Sequence, residues 1–279
     1  MVIQHNIAAI NSYRNLSGNQ SALSKNLEKL SSGYKINRAG DDAAGLAISE
    51  TMRSQIAGLN QAVNNANDAV GLIQTAEGAM TETHSMLQRM KTLTTQAANG
   101  TYTNTARTNI KAEIDALNAE ITRIATTTKF NGETPLNPKA AVQQGKTTNL
   151  TFFIGASSDK TNAMTVAQKS MTAGALKVDK IMVDTTTAAF KAMASVDAAI
   201  EAVSSYRATL GAAQNRLEHT VNNLKVTSEN ITSAESRIRD TDMADEITAY
   251  TKNNILLQAA QSMLSQSNAM PQGVLSMLQ

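Results

Sequence analysis

Apolar residues recur every three or four positions over two long stretches, and this spacing constrains the fold more than any other feature. The first stretch runs from Met52 to Leu93 and the second from Ile200 to Ile238. Such spacing places apolar side chains along one narrow face of a helix, which suits pairing with another helix. The first stretch alone would form a helix ~60 Å long. We therefore predict a mainly α-helical, elongated rod in which the two halves of the chain pair through long, coiled-coil-like helices.

The aliphatic members of the two stretches are the expected core of this rod. Aromatic residues make up 3% of the chain and Trp is absent, which argues against a large globular core. Either Asp41 or Asp42 is the expected N-cap of the first long helix, and Asn99–Gly100 should end it. We name as the rod core the residues Ile56, Leu59, Val63, Val70, Ile73, Leu210, Leu217, Leu224 and Ile231.

The two chain ends carry weaker helical patterns. Several Asn residues interrupt the pattern of residues 1–32, and Asn is a poor helix former. A matching pattern covers 247–270, and Pro271 and Gly273 should end it. Segments of this kind are marginal alone and order against a partner surface. We name as the inner seam the residues Ile3, Ile7, Ile10, Leu16, Leu23, Leu27, Leu30, Ile247, Leu257 and Leu264.

These patterns predict two domains. Residues 1–45 plus 240–279 form an inner terminal coiled-coil domain, disordered in the monomer, in which the N- and C-termini pair. Residues 46–239 form the rod domain, with long helices over 46–98, 105–127 and 193–239 and a β-hairpin or irregular region over 130–192. The hairpin strands are expected near Leu150–Ile154 and Ala163–Val166, because short β-branched and aromatic runs there flank turn residues.

Composition argues against most chemical functions. The net charge is +2 with no cluster of Lys or Arg, so a nucleic-acid interface is not expected. No apolar run approaches the ~18 residues that would span a membrane. The start of the chain lacks the charged and apolar regions of a Sec-type signal peptide. Cys is absent, which removes thiolate ligands and nucleophiles.

No group of residues has the spacing of a catalytic or metal site. His5, His84 and His219 lack partners at metal-ligand spacing. The acidic cluster from Asp240 to Glu246 lacks the Gly and Glu that a calcium loop needs. We predict no enzyme activity, no cofactor and no metal.

Several long and specific motifs lie in the two halves of the chain. They are Leu30–Ile48, Gln74–Ala79, Leu87–Lys91, Gln96–Thr101, Arg207–Glu218, Glu229–Ala244 and Pro271–Leu278. These motifs resemble those of bacterial flagellin. The resemblance is close over residues 1–132 and 195–279, and residues 150–155 resemble the family hairpin.

The resemblance implies a structural subunit that polymerises into the helical flagellar filament for swimming. It implies a short form without large outer domains, exported unfolded through the flagellar type III apparatus to an extracellular location. Implied partners are further copies of the chain, an export chaperone at the C-terminal segment, and the hook-associated junction and cap proteins. The alternatives are a flagellin-like hook–filament junction protein, a flagellin carrying a protease and a cytosolic coiled-coil scaffold. The short middle and the missing His-Glu-x-x-His disfavour the protease.

The resemblance also implies an innate immune contact. A vertebrate Toll-like receptor detects many flagellins through their outer helices. This chain has Thr92 where such flagellins often carry Glu, so we predict weakened detection. The matching family positions here are Gln88, Arg89, Leu93, Gln96 and Glu113.

Overall fold

The fold is mainly helical with one small sheet. A computed structural model describes residues 6–138, 149–157 and 159–277, with side chains described as far as Met270. The predicted fold class of long helices with a small β-hairpin is confirmed. Over the described residues the elements are α1 (Ile7–Ser32), α2 (Ala43–Ala98), α3 (Asn104–Thr127), β1 (Asn149–Phe153), a short 3-10 turn (Lys160–Asn162), β2 (Ala163–Ala167), α4 (Thr186–Arg239) and α5 (Met243–Met277).

The two strands form an antiparallel hairpin. Thr151 lies opposite Thr165, and Leu150 lies opposite Val166. Met164 and Val166 on β2 are buried, so the hairpin places one face on the core.

The start of α2 contains a close approach at Gly45. The Asp42 carboxylate accepts a hydrogen bond from the backbone N–H of Gly45 at 2.9 Å, as expected of an N-cap. A Cβ atom at Gly45 would lie 2.4 Å from Asp42 Oδ2 and 2.8 Å from Ile36 Cδ1. Any larger residue at position 45 would therefore push the cap or Ile36 out of place.

Two predicted helix limits were wrong. α4 begins at Thr186 rather than near Met193, because Thr185 acts as its cap: the Thr185 hydroxyl accepts from the N–H of Ala188 at 3.1 Å. α5 does not end at Pro271 but continues to Met277. An internal Pro removes the donor of the carbonyl four residues earlier, and the side chain of Asn6 donates to that carbonyl here.

The chain divides into two compact units. Unit 1 comprises Met1–Ser54 and Glu229–Gln279, and unit 2 comprises Gln55–Ser228. The proposed inner domain, 1–45 plus 240–279, falls inside unit 1, and its disorder in the monomer stays a prediction.

Unit 2 has a continuous apolar core. Met80, Met90 and Leu217 on its long helices are fully buried. The region before α4, expected to be irregular, also contributes: Val178 and Val183 are fully buried there. Removal of its phenol from water raises the pKa of Tyr206 above its ordinary value.

Candidate assembly surface

The two ends of the chain pair as antiparallel helices in unit 1. The Asn6 side chain, just before α1, reaches the carbonyl of Ser267 near the far end of α5. At the other end of α1, Lys29 lies 3.8 Å from the carboxylate of Glu246 at the start of α5. The first residues of one helix therefore meet the last residues of the other.

This helix pair has no apolar core of its own. Among the described residues of α1 and of α5 as far as Met270, only Asn26 and Ser267 are buried, and both are polar. In unit 2, by contrast, each long helix buries a row of apolar side chains along one face. Apolar side chains that pack only partly within one chain are the kind that a further partner would cover.

The inner-seam residues lie along this pair with mixed burial. Ile3 lies outside the described residues. The residues that are half-buried are Leu16, Leu23, Leu30, Leu257 and Leu264. Those that remain exposed are Ile7, Ile10, Leu27 and Ile247.

A buried amide that the sequence pattern did not single out lies between the helices. The Asn26 side chain, oriented to satisfy its neighbours, donates to Glu246 at 3.2 Å and accepts from Asn253 at 3.1 Å. A single buried Asn in a helix seam favours one register, because other registers leave its amide without partners. The one signal of it in the sequence is that Asn26 stands where the spacing of α1 would place an apolar residue.

Asn6 supplies the donor that allows α5 to pass Pro271. Pro271 has no N–H, so the carbonyl of Ser267, four residues earlier, loses its helical donor. The Asn6 amide nitrogen donates to that carbonyl at 2.8 Å, while its oxygen caps α1 by accepting from Ala9 N–H at 3.1 Å.

We therefore expect Asn6→Asp to weaken the pairing of the chain ends. The variant keeps a capping oxygen but loses the donor, at a cost of about 1 kcal/mol. In a Pro271→Ala background α5 supplies its own N–H, so the same Asn6 change should cost much less. Hydrogen exchange of the α5 amides near Ser267 measures both effects in assembled protein. Equal losses of protection in the two backgrounds would contradict this role.

A polar junction holds the loop after α1 against the end of α4. Arg239 Nη1 donates to Glu50 Oε1 at 2.6 Å, and the guanidinium carbon lies 4.7 Å from the centre of the Tyr34 ring. The Lys35 N–H donates to the Arg239 carbonyl at 2.7 Å, and the Thr241 N–H donates to Gly33 at 3.0 Å. The connections α1–α2 and α4–α5 are thus joined within unit 1.

We expect this junction to loosen in acid. The hydrogen bond from Arg239 lowers the pKa of Glu50. The pair therefore stabilises the folded junction above the ordinary glutamate pKa, and this contribution is lost as pH falls through the lowered pKa. The protection factor of the Lys35 amide should fall over that range. In Glu50→Gln the protection factor of this amide should be lower at neutral pH and should change little as pH falls. Glu229→Gln alters an exposed position and should behave like the unaltered chain. An identical pH response in Glu50→Gln would contradict the assignment.

The chain is similar to known proteins over its whole length. Residues 3–140 match the bacterial flagellin N-terminal helical region, and residues 193–278 match the C-terminal helical region. A solved flagellin from Bacillus cereus is 31% identical and covers 62% of this chain and 94% of that one, with a TM-score of 0.48. Flagellin FlaB2 of Treponema pallidum (strain Nichols) is 45% identical over 287 residues, covering 100% of both chains. A flagellin of Bacillus subtilis (strain 168) is 50% identical over 305 residues, again covering 100% of both. This chain belongs to the bacterial flagellin family.

Membership settles the class of function. This flagellin is a structural protein, a subunit that self-assembles into the flagellar filament, and the full-length matches favour this function over the junction-protein alternative. In the described part of the chain, no helix is long and apolar enough to cross a membrane. Nor do three His, Cys, Asp or Glu side chains come together there as metal ligands would.

The rod-core residues of this flagellin are mostly inside unit 2. Leu59, Ile73, Leu210, Leu217 and Leu224 are buried. The remaining rod-core residues are half-buried, and one of them, Ile231, belongs to unit 1: Ile56, Val63, Val70 and Ile231.

The residues matched to the receptor contact lie on α2 and α3. Gln88, Arg89, Gln96 and Glu113 are exposed, and Arg89 forms an ion pair with Glu113 at 2.7 Å. Leu93 does not share this surface. It is 2% exposed and belongs to the core of unit 2, so its side chain is not available to a receptor in this structure. We therefore remove Leu93 from the proposed contact.

Proposed function

We propose that this flagellin polymerises through unit 1, with the apolar faces left open by the α1–α5 pair covered by neighbouring copies. The observation that carries this proposal is the absence of buried apolar side chains on both helices over their described side chains. Burial of such faces between copies would supply about 1.5–3 kcal/mol for each large aliphatic side chain removed from water. Copies joined by different faces form an open helical array when the rotation between them does not close into a ring.

One open face on α5 is well defined. Leu256, Met263 and Met270 follow each other at intervals of seven residues and are all exposed. A spacing of seven keeps side chains on nearly the same side of a helix. We name these three residues the α5 stripe and propose that it packs on another copy.

Charged substitutions test this proposal. Leu256→Glu with Met263→Glu should stop seeded filament growth, because burial of two carboxylates without partners is costly. The matched control is Gln261→Glu with Ser265→Glu, which adds the same charge to exposed positions on another side of α5. The control should polymerise. Equal growth of both variants, or equal failure of both, would overturn the role of the α5 stripe.

The proposed function includes the steps before assembly. The inner domain, 1–45 plus 240–279, is disordered in the monomer, because helices without a core of their own order only on a partner. An export chaperone binds the C-terminal segment and covers its apolar residues, and the flagellar type III apparatus then exports the chain unfolded to the cell exterior. Hook-associated junction and cap proteins meet the same helices at the filament ends. The chain catalyses no reaction.

We also propose weak detection by a vertebrate Toll-like receptor through Gln88, Arg89, Gln96 and Glu113. Thr92 lies beside this set and has no charge to offer a receptor. Its hydroxyl donates to the Gln88 carbonyl at 3.1 Å. Thr92→Glu should raise potency in a reporter-cell assay. Arg89→Ala should lower it by breaking the ion pair with Glu113. Potency of the unaltered chain equal to that of a strongly detected flagellin would contradict the expected weakening.

A further inference from the structure

All sulfur atoms of this chain belong to methionine, because the chain has 13 Met and no Cys. Oxidation at sulfur can therefore occur only on Met side chains. The structure separates these residues sharply. Met80, Met90, Met164 and Met171 are buried in the core of unit 2. The described Met side chains that are exposed are Met182, Met243, Met263 and Met270. Three of these four lie on α5.

Exposure determines which thioethers an oxidant reaches first. Met263 is 57% exposed and Met270 is 53% exposed, and both belong to the α5 stripe. Oxidation converts a flexible apolar side chain into a polar, chiral sulfoxide. On the α5 stripe that change falls where the proposed assembly needs an apolar surface.

We propose that Met263 and Met270 form a reversible oxidation site that controls polymerisation of the subunit. The proposal rests on the proposed function of the α5 stripe. The oxidant is a peroxide. The lone pair of Sδ attacks one peroxide oxygen, and the S–O bond forms as the O–O bond breaks. The departing hydroxide takes the proton from the new S–OH group and leaves as water. Sulfur loses two electrons and the peroxide gains them.

The reverse step requires a thiol-dependent methionine sulfoxide reductase. Two thiols supply two electrons and two protons, the sulfoxide oxygen leaves as water, and a disulfide forms on the reductant. The subunit itself contributes only the exposed thioethers. A chain oxidised before assembly therefore needs a higher concentration to add to a filament until its sulfoxides are reduced.

Met182 provides a matched control inside the same chain. It is 62% exposed, so an oxidant reaches it as readily as it reaches the α5 residues. It lies in unit 2, away from α5 in sequence. Its oxidation is therefore expected without an effect on assembly.

The test treats purified monomer with hydrogen peroxide, locates sulfoxides by peptide mass spectrometry and measures seeded elongation. Met182, Met263 and Met270 should oxidise before Met80 and Met90. The critical concentration for elongation should rise at least about tenfold, the factor that corresponds to one apolar side chain no longer buried. Met263→Leu with Met270→Leu should elongate normally after peroxide treatment, whereas Met182→Leu should be inhibited like the unaltered chain.

Two results would overturn the proposal. One is unchanged elongation of the unaltered chain after both α5 residues are oxidised. The other is inhibition of the double Leu variant to the same degree as the unaltered chain. Added reductase should restore elongation of the oxidised, unaltered chain, which tests the proposal without any substitution. Failure of untreated, unaltered monomer to elongate would instead refute the assembly proposal on which this site depends.

Discussion

Removal of residues 247–279 should abolish polymerisation while unit 2 stays folded. The truncation removes most of α5, including the α5 stripe, and it takes from Asn26 its contact with Asn253. Unit 2, Gln55–Ser228, contains its own apolar core and has no residue in the deleted segment. Seeded elongation followed by light scattering measures the first effect, and thermal unfolding followed by circular dichroism measures the second.

The unaltered chain is the reference for both measurements, elongation and thermal unfolding. We expect no elongation from competent seeds and an unfolding midpoint for unit 2 close to that of the full chain. Normal filaments from the truncated chain would show that α5 is not needed for assembly. Loss of the unit 2 transition would show instead that the two units do not fold separately.

Leu217→Ala should be strongly destabilising. Leu217 lies on α4 with no exposed surface, in the core of unit 2. Truncation of a buried Leu removes apolar burial and leaves a cavity, which together lower the free energy of unfolding by about 2–5 kcal/mol. Urea denaturation of the monomer measures the change.

Val226→Ala is the matched control on the same helix. Val226 is 56% exposed, so its truncation should change the free energy of unfolding by no more than about 0.5 kcal/mol. Similar losses in the two variants would mean that the rod core does not carry the stability of unit 2.

Features set by local sequence were predictable. Apolar spacing predicted the long helices because their side chains need only repeat along one face. The Asp41–Asp42 pair and Asn99–Gly100 mark the ends of α2 because caps and glycine stops act within one turn, and the structure assigns the cap to Asp42. The hairpin followed from short β-prone runs beside turn residues.

Features set by distant partners were not predictable from local sequence. Pro271 should have ended α5, but its missing donor is replaced by Asn6, 261 residues earlier than the Ser267 carbonyl that it satisfies. Arg107 similarly folds back to donate to the carbonyls of Ala97 and Asn99 at the end of α2. Leu93 has the spacing of a core residue as well as a family receptor position, and only its burial in unit 2 decides between the two.

Electron microscopy of purified monomer after seeded polymerisation tests the central claim most directly. The claim is that the paired chain ends, lacking a core of their own, drive copies of this subunit into a filament. It predicts long helical filaments of uniform width growing from the seeds. Persistent monomer in the presence of competent seeds would contradict it.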